Sequence, residues 1–108
     1  MAKSDDAARI LAALRLIHQW AKAKLWFITE KATLEHQALG FNADEVAAVV
    51  LTANIGCVHS VSADHQFPER TVIVLFVRAE DMNLYVKVSL RIDKDYNVTL
   101  LSFHRRGM

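Results

Sequence analysis

The sequence contains one cysteine, one proline and three glycines in 108 residues. The single cysteine, Cys57, excludes an internal disulfide and a metal site built from several cysteines, and it fits a reducing compartment. No apolar run reaches the ~18–20 residues that a membrane-spanning helix needs. Asp5 and Asp6 stand where a secretory signal has a basic region. We therefore expect a cytoplasmic protein that is neither exported nor bound to a membrane.

Several local signatures of enzymes and cofactor sites are also missing. There is no glycine-rich phosphate loop and no signature of a serine or cysteine nucleophile. Zinc needs three or four ligands, and no second pair of histidines accompanies His59 and His65. We therefore expect no metal and no cofactor. The formal net charge of +1 indicates no particular partner, although the last quarter of the chain carries a mild excess of positive charge.

The sequence is rich in apolar residues, which make up 53% of the chain. This fraction and the length predict one globular domain over residues 1–108. In the first half the apolar residues recur at helical spacing. A first helix is expected from about Asp5 to residues 22–24. Thr29 and Gly40 are the expected ends of a second helix, and Asn42 with Glu45 predicts a capping box at the start of a third.

After Gly56 the apolar period changes to two, which is typical of strands. "CVHSVSA" predicts a first strand, and the almost unbroken apolar run "TVIVLFV" predicts one in the interior of a sheet. The alternating runs Leu84–Ile92 and Tyr96–His104 flank a polar Asp93–Asp95, which indicates a hairpin. The predicted fold class is α+β, with three N-terminal helices packed on a mainly antiparallel four-stranded sheet.

The predicted hairpin carries the residues that are most suggestive of chemistry. Strand alternation places Tyr85, Lys87, Ser89 and Arg91 on one side. Cleavage of RNA by its own 2′-hydroxyl needs a base, cations for the phosphorane and an acid for the leaving oxygen, which such side chains supply without metal. An ordinary solvated sheet face explains the same residues. Alternation places Val98, Leu100, Ser102 and His104 on one face of the last strand, which it does not establish as the face of Tyr85, and a twist or bulge at the strand end can bring the His104 ring there.

The order of several phrases along the chain resembles a known family. A short helix ends in "ALGF", a third helix leads to a "VHS" strand, and the chain closes with "LYVKVSL" and "VTLLSFH". In these phrases the chain resembles the MqsR-type toxins of bacterial toxin–antitoxin pairs, within the wider group of RelE-like ribonucleases. The resemblance implies a metal-independent messenger-RNA endoribonuclease that acts on single-stranded RNA and is inhibited by a protein antitoxin.

The resemblance also implies roles for individual residues. Tyr85 matches the family's catalytic tyrosine, and Lys87 follows it as the family's lysine does. His59 and His104 stand where the family has functional lysines, and the family's catalytic glutamine has no counterpart in "TVIVLFV". Tyr85 or His59 is expected to assist the 2′-hydroxyl, Lys87 to neutralise the phosphate, and His104 to protonate the leaving oxygen. The expected phosphate-binding arginines are Arg70, Arg91 and Arg105.

A second interpretation is a non-catalytic protein-interaction or dimerisation module. The run "TVIVLFV" favours it, because a strand that is apolar on both sides needs cover on both faces. The cover can come from another protein or from a second copy of the chain, which leaves a homodimer open. A small-ligand-binding domain is a third class, for which the sequence offers no positive sign.

Overall fold

The structure is a computed structural model that describes residues 2–91 and 98–107, with side chains from residue 7 onward. Within these residues the chain forms three α-helices, a short 3₁₀ turn and five β-strands. The helices are α1 Ala2–Lys22, α2 Glu30–Ala38 and α3 Ala43–Leu51, and the 3₁₀ turn is Ile55–Cys57. The strands are β1 Phe27–Ile28, β2 Val58–Ala63, β3 Thr71–Ala79, β4 Met82–Leu90 and β5 Val98–Arg105.

The ends of the helices follow local side-chain chemistry. At the start of α2, the Thr29 hydroxyl accepts a hydrogen bond of 3.1 Å from a backbone N–H of the first turn. Asn42 and Glu45 exchange side-chain and backbone hydrogen bonds of 2.8 and 2.9 Å, which is the predicted capping box. Gly40 follows α2 with φ of +86°, a conformation that favours glycine. These predicted caps are confirmed, whereas α1 begins earlier than expected, at Ala2.

The α+β class is confirmed, but the predicted four-stranded sheet is wrong. Among the described residues the sheet has five strands in the order β1-β5-β4-β3-β2, and β1 runs parallel to β5. The two residues of β1, Phe27 and Ile28, are too few to show a period in the sequence. They form a strand because the outer edge of β5 needs hydrogen-bond partners. A bond of 3.1 Å from Thr29 N–H to the Leu100 carbonyl extends this pairing.

The sequence predicted three helices packed on the sheet, but the three helices do not form one uniform layer. Helices α1 and α3 contact each other and the sheet, whereas α2 packs mainly against β5. None of the described helices combines the length and the hydrophobicity needed to cross a membrane. The face of the sheet away from α1 and α3 is called the open face below.

Two hairpins connect the last three strands. Glu80 and Asp81, with φ of 52° and 60°, form the two-residue turn between β3 and β4. Positive φ at both central residues is typical of a type I′ turn, which glycine and asparagine usually occupy, so the sequence did not indicate it. Strands β4 and β5 pair antiparallel as predicted. Ile92 and the expected turn Asp93–Asp95 lie outside the described residues.

The core lies between the sheet and the helices: α1 and α3 contribute most of its helical residues, and α2 contributes Ala32. Alternate residues of β4 face it and are fully buried, as predicted: Leu84, Val86, Val88 and Leu90. Strand β3 is interior to the sheet, which the unbroken apolar run predicted. Val72 and Val74 of β3, which line the open face, are each only 7% exposed. Cover on both faces of β3 therefore comes from this chain itself.

A bulge in β5 decides which side chains share the open face. Lys87 pairs with Ser102, but the next residue, Val88, pairs with Leu100, so Leu101 is the extra residue. One extra residue reverses the alternation of the strand beyond it. His104 consequently pairs with Tyr85.

Candidate functional site

Four aromatic rings cross the open face, one from each of β2 to β5. They are called the aromatic row and comprise His59, Phe76, Tyr85 and His104. His59 stacks on Phe76 with ring centroids 4.1 Å apart, and Tyr85 stacks on His104 at 4.8 Å. The two pairs meet between Phe76 and Tyr85, whose centroids are 6.3 Å apart and whose planes are tilted by 45°. The sequence-predicted residues His59, Tyr85 and His104 therefore belong to one row.

The His104 ring is held in one orientation by its own strand end. Its Nδ1 atom lies 2.8 Å from the carbonyl oxygen of Arg105. A carbonyl oxygen only accepts hydrogen bonds, so Nδ1 carries the hydrogen. Nε2 is then the nitrogen that gains and loses a proton, and it is the atom of this ring that can serve in proton transfer.

The two consecutive arginines at the end of β5 point to different sides. Arg105 pairs with the buried Leu84, which places it on the core side of β5, and it lines a cleft together with His104 and Glu35 of α2. The Arg106 guanidinium instead lies over the Phe76 ring, with its carbon 4.4 Å from the ring centroid. Arg106 is therefore a cation beside the aromatic row that was not predicted from the sequence, and binding of phosphate by Arg105 stays a prediction.

Tyr85 also forms part of a groove on the open face. The groove has a volume of about 750 Å³ and lies between the β2–β3 loop and β1. Four of the sequence-predicted residues line it: Tyr85, Lys87, Arg70 and Arg91. His59 and His104 lie outside its lining and continue the aromatic row to either side. Tyr85 is thus the residue shared by the row and the groove.

Arg70 forms hydrogen bonds to two neighbouring strands at the floor of the groove. Its Nε donates to the Ser89 hydroxyl at 2.7 Å, and its Nη2 donates to the Ser89 carbonyl at 2.9 Å. Nη2 also lies 3.4 Å from the Thr99 hydroxyl of β5. These bonds join the start of β3 to β4 and β5, which is a structural task in addition to the expected contact with phosphate.

The β2–β3 loop is ordered by Asp64. One carboxylate oxygen accepts from the backbone N–H groups of Gln66 and Phe67 at 2.9 and 3.2 Å. These two bonds lower the pKa of Asp64; the Ser89 hydroxyl and the charge of Arg70 act in the same direction and outweigh partial desolvation. The backbone N–H of Arg70 closes the loop with a bond of 2.8 Å to the Phe67 carbonyl.

Sequence analysis missed three groove residues. Phe27 and Phe67 line the groove and are 64% and 52% exposed. Phe27 stands just before the predicted second helix and Phe67 between the first two predicted strands, and neither was a candidate site residue. A large aromatic residue inside the polar segment "DHQFPE" was the signal available. Gln66 of the same loop also lines the groove, whereas the resemblance places the family's glutamine in β3.

Glu35 of α2 holds the strand segment that carries His104. Its Oε1 accepts from the backbone N–H of Phe103 at 2.9 Å, and its Oε2 accepts from Lys31 at 2.9 Å. Lys31 also donates to the Ser102 hydroxyl at 2.9 Å. Desolvation opposes ionisation of Glu35, but the bonds from Lys31 and Phe103, with the charges of Lys31 and His104, outweigh it and lower its pKa.

Comparison with known proteins adds no further assignment to these residues. No model of a protein family, no curated protein and no solved structure matches the chain at a significant level. Within the described residues, no three His, Cys, Asp or Glu side chains are grouped so as to hold a metal ion.

Proposed function

We propose that the protein is a metal-independent endoribonuclease that cleaves single-stranded messenger RNA. The observation that carries the proposal is the stacked pair of Tyr85 and His104, with ring centroids 4.8 Å apart. Lys87, which lies on the same side of β4 as Tyr85, lines the adjoining groove. A phenol, an imidazole and an ammonium group thus lie together on an open, concave surface, which is the set of groups that metal-free cleavage of RNA requires.

In the proposed mechanism the RNA 2′-hydroxyl attacks the adjacent phosphorus. Tyr85, acting as phenolate, accepts the hydroxyl proton, because it is the member of the aromatic row that also lines the groove. Lys87 neutralises charge on the phosphorane as it forms. His104 donates a proton from Nε2 to the leaving 5′-oxygen, since Nδ1 is occupied by the Arg105 carbonyl. The products are a 2′,3′-cyclic phosphate and a free 5′-hydroxyl.

The test is cleavage of end-labelled single-stranded RNA by purified protein in the presence of EDTA. We expect fragments that end in a 2′,3′-cyclic phosphate, and no cleavage of the matched oligonucleotide with 2′-deoxy sugars. Dependence on an added divalent ion, or products with a 5′-phosphate, would contradict the mechanism, because metal-activated water does not need the 2′-hydroxyl.

We also propose that this activity makes the protein the toxin of a toxin–antitoxin pair. This role is supported by the resemblance in sequence and by no separate structural feature. Expression in bacteria is expected to arrest growth, and coexpression of a neighbouring antitoxin gene is expected to restore it. His104→Ala is the matched control, because it removes the proposed acid. Equal growth arrest by wild type and His104→Ala would disconnect toxicity from cleavage.

An interaction module is the second candidate function. The observation that favours it is no longer the apolar run of β3 but the exposed edge of β2. Strand β3 needs no outside cover, since Val72 and Val74 are already buried within the chain. Strand β2, however, is an edge of the sheet, and its Val61 is 44% exposed. An exposed edge is able to pair with a strand of another chain. A concentration-dependent mass in sedimentation, abolished by Val61→Lys, is the result expected from this candidate.

A further inference from the structure

The end of the groove away from His104 has a floor of mostly short side chains. One cross-strand row passes from Ser62 through Val72, Ser89 and Thr99 to Phe27, as the pairing of all five strands requires. This row is called the short-chain row. The Arg70 guanidinium lies on two central members of this row, Ser89 and Thr99, and forms the floor there together with them.

Two exposed phenylalanines border this end of the groove. Phe27 ends the short-chain row on β1, and Phe67 comes from the loop, with 64% and 52% of their surfaces exposed. They are the two aromatic rings among the exposed large hydrophobic side chains of the described residues, and both line the same groove. Phe67 is also held in place, because Asp64 accepts from its N–H and Arg70 donates to its carbonyl. An ordered turn therefore presents this ring to solvent.

Cations lie beside these rings. Lys87 and Arg91 line the same groove as Phe27 and Phe67, and the Ser89 and Thr99 side chains belong to its floor. The lining carries three cations, Arg70, Lys87 and Arg91, and two carboxylates, Asp64 and Glu69. A flat aromatic group attached to a phosphate fits it, because its faces can stack on the phenyl rings and the cations outnumber the carboxylates. Gln66 adds an amide that is able to hydrogen-bond the edge of a base.

We infer that this end of the groove binds one unpaired base of a single-stranded RNA, next to the phosphate that Lys87 receives. The inference rests on the proposed function for its substrate class, and it adds a base-binding subsite that is separate from the aromatic row. Phe67 and Phe27 provide the stacking surfaces, and Arg91 contacts a neighbouring phosphate.

The subsite is tested by binding, independently of cleavage. The probe is a short fluorescent single-stranded oligonucleotide with 2′-O-methyl sugars, which the proposed mechanism cannot cleave. Phe67→Ala and Phe27→Ala are each expected to raise its Kd about 10- to 100-fold, the usual effect of losing one stacked base. Phe67→Tyr should keep wild-type affinity. Leu34→Ala is the matched control, because Leu34 is 60% exposed on α2, away from the groove.

A second probe separates stacking from electrostatic attraction. An oligonucleotide of the same length without bases should bind wild type and Phe67→Ala with equal, weak affinity. Equal affinity of wild type and Phe67→Ala for the complete oligonucleotide would overturn the subsite, even if the protein cleaves RNA. If wild type cleaves no RNA but Phe67→Ala and Phe27→Ala lose binding, the subsite stands and the ribonuclease proposal fails. Absence of binding by wild type would overturn the subsite as well.

Discussion

Glu35 of α2 accepts a hydrogen bond of 2.9 Å from the backbone N–H of Phe103, the residue that precedes His104. The bond connects a helix to the segment of β5 just past the bulge. Lys31 reinforces it by bridging Glu35 and the hydroxyl of Ser102. The position of the His104 ring therefore depends on a carboxylate that lies outside the aromatic row, and Glu35 is a positioning residue for the proposed acid.

Glu35→Ala is accordingly expected to lower kcat for RNA cleavage by about 10- to 100-fold, since small displacements of a reacting group have effects of this size. KM should change little, because Glu35 does not line the groove. Glu35→Gln retains an oxygen that accepts from Phe103, and it should recover much of the loss. Steady-state kinetics on one RNA substrate measures both constants. Glu30→Gln on the same helix serves as control, and equal kcat values for Glu35→Ala and wild type would refute the positioning role.

The stability of the fold should fall in acid, in part through Glu35. The folded state lowers the pKa of this carboxyl from its ordinary 4.5. A lowered pKa means that ionised Glu35 stabilises the fold above pH 4.5, and that this contribution is lost as the pH falls through the lowered value. Asp64 acts in the same direction below its ordinary 3.8. Urea unfolding at a series of pH values should show that the free energy of unfolding falls less steeply in acid for Glu35→Gln than for wild type. An equally steep fall in both proteins would contradict the assignment.

Tyr85 and His59 were both candidates to assist the 2′-hydroxyl, and the groove favours Tyr85. Tyr85→Phe keeps the ring that stacks on His104 but removes the hydroxyl. It is expected to lower the cleavage rate by about 10²–10⁴-fold, the usual contribution of a positioned acid or base. His59→Ala should have a much smaller effect. Single-turnover cleavage compares the two variants, and the reverse order of effects would assign the role to His59.

His104 is expected to be the proton donor to the leaving oxygen. His104→Ala should lower the cleavage rate by about 10²–10⁴-fold. Its free energy of unfolding should fall by about 0.5–1.5 kcal/mol, because the stacking contact with Tyr85 is lost. Arg105→Ala is the adjacent control, and a wild-type rate in His104→Ala would remove the acid from the mechanism.

Arg70 and Lys87 both line the groove, but their substitution should have different effects. Arg70→Ala leaves the buried hydroxyl and carbonyl of Ser89 without these donors, and it should lower the free energy of unfolding by about 1–3 kcal/mol. Lys87→Ala should change stability by no more than about 0.5 kcal/mol but should weaken RNA cleavage. Urea unfolding and kinetics of both variants measure the contrast. If Lys87→Ala lowers the free energy of unfolding and Arg70→Ala does not, the structural role of Arg70 and the role of Lys87 in cleavage are contradicted.

The sequence by itself determined the elements whose stability is local. Thr29 and the Asn42–Glu45 pair cap helices with their own side chains, and Gly40 follows α2 in a conformation that favours glycine. The strict alternation from Leu84 to Leu90 determined which side of β4 enters the core, because successive side chains of a strand point to opposite faces. Each of these features depends on residues within a few positions, so their pattern is visible in the chain.

Only the tertiary structure decided the features that depend on distant partners. Strand β1 has no period of its own and exists because β5 offers an edge. No glycine near Leu101 indicates the bulge in the sequence. The bulge nevertheless reverses the alternation of β5 and places His104 beside Tyr85. Phe27 and Phe67 are forty residues apart in the chain and border one groove only after five strands are aligned. Register is a long-range property of hydrogen bonding between strands, and for that reason the candidate site could be assembled only in three dimensions.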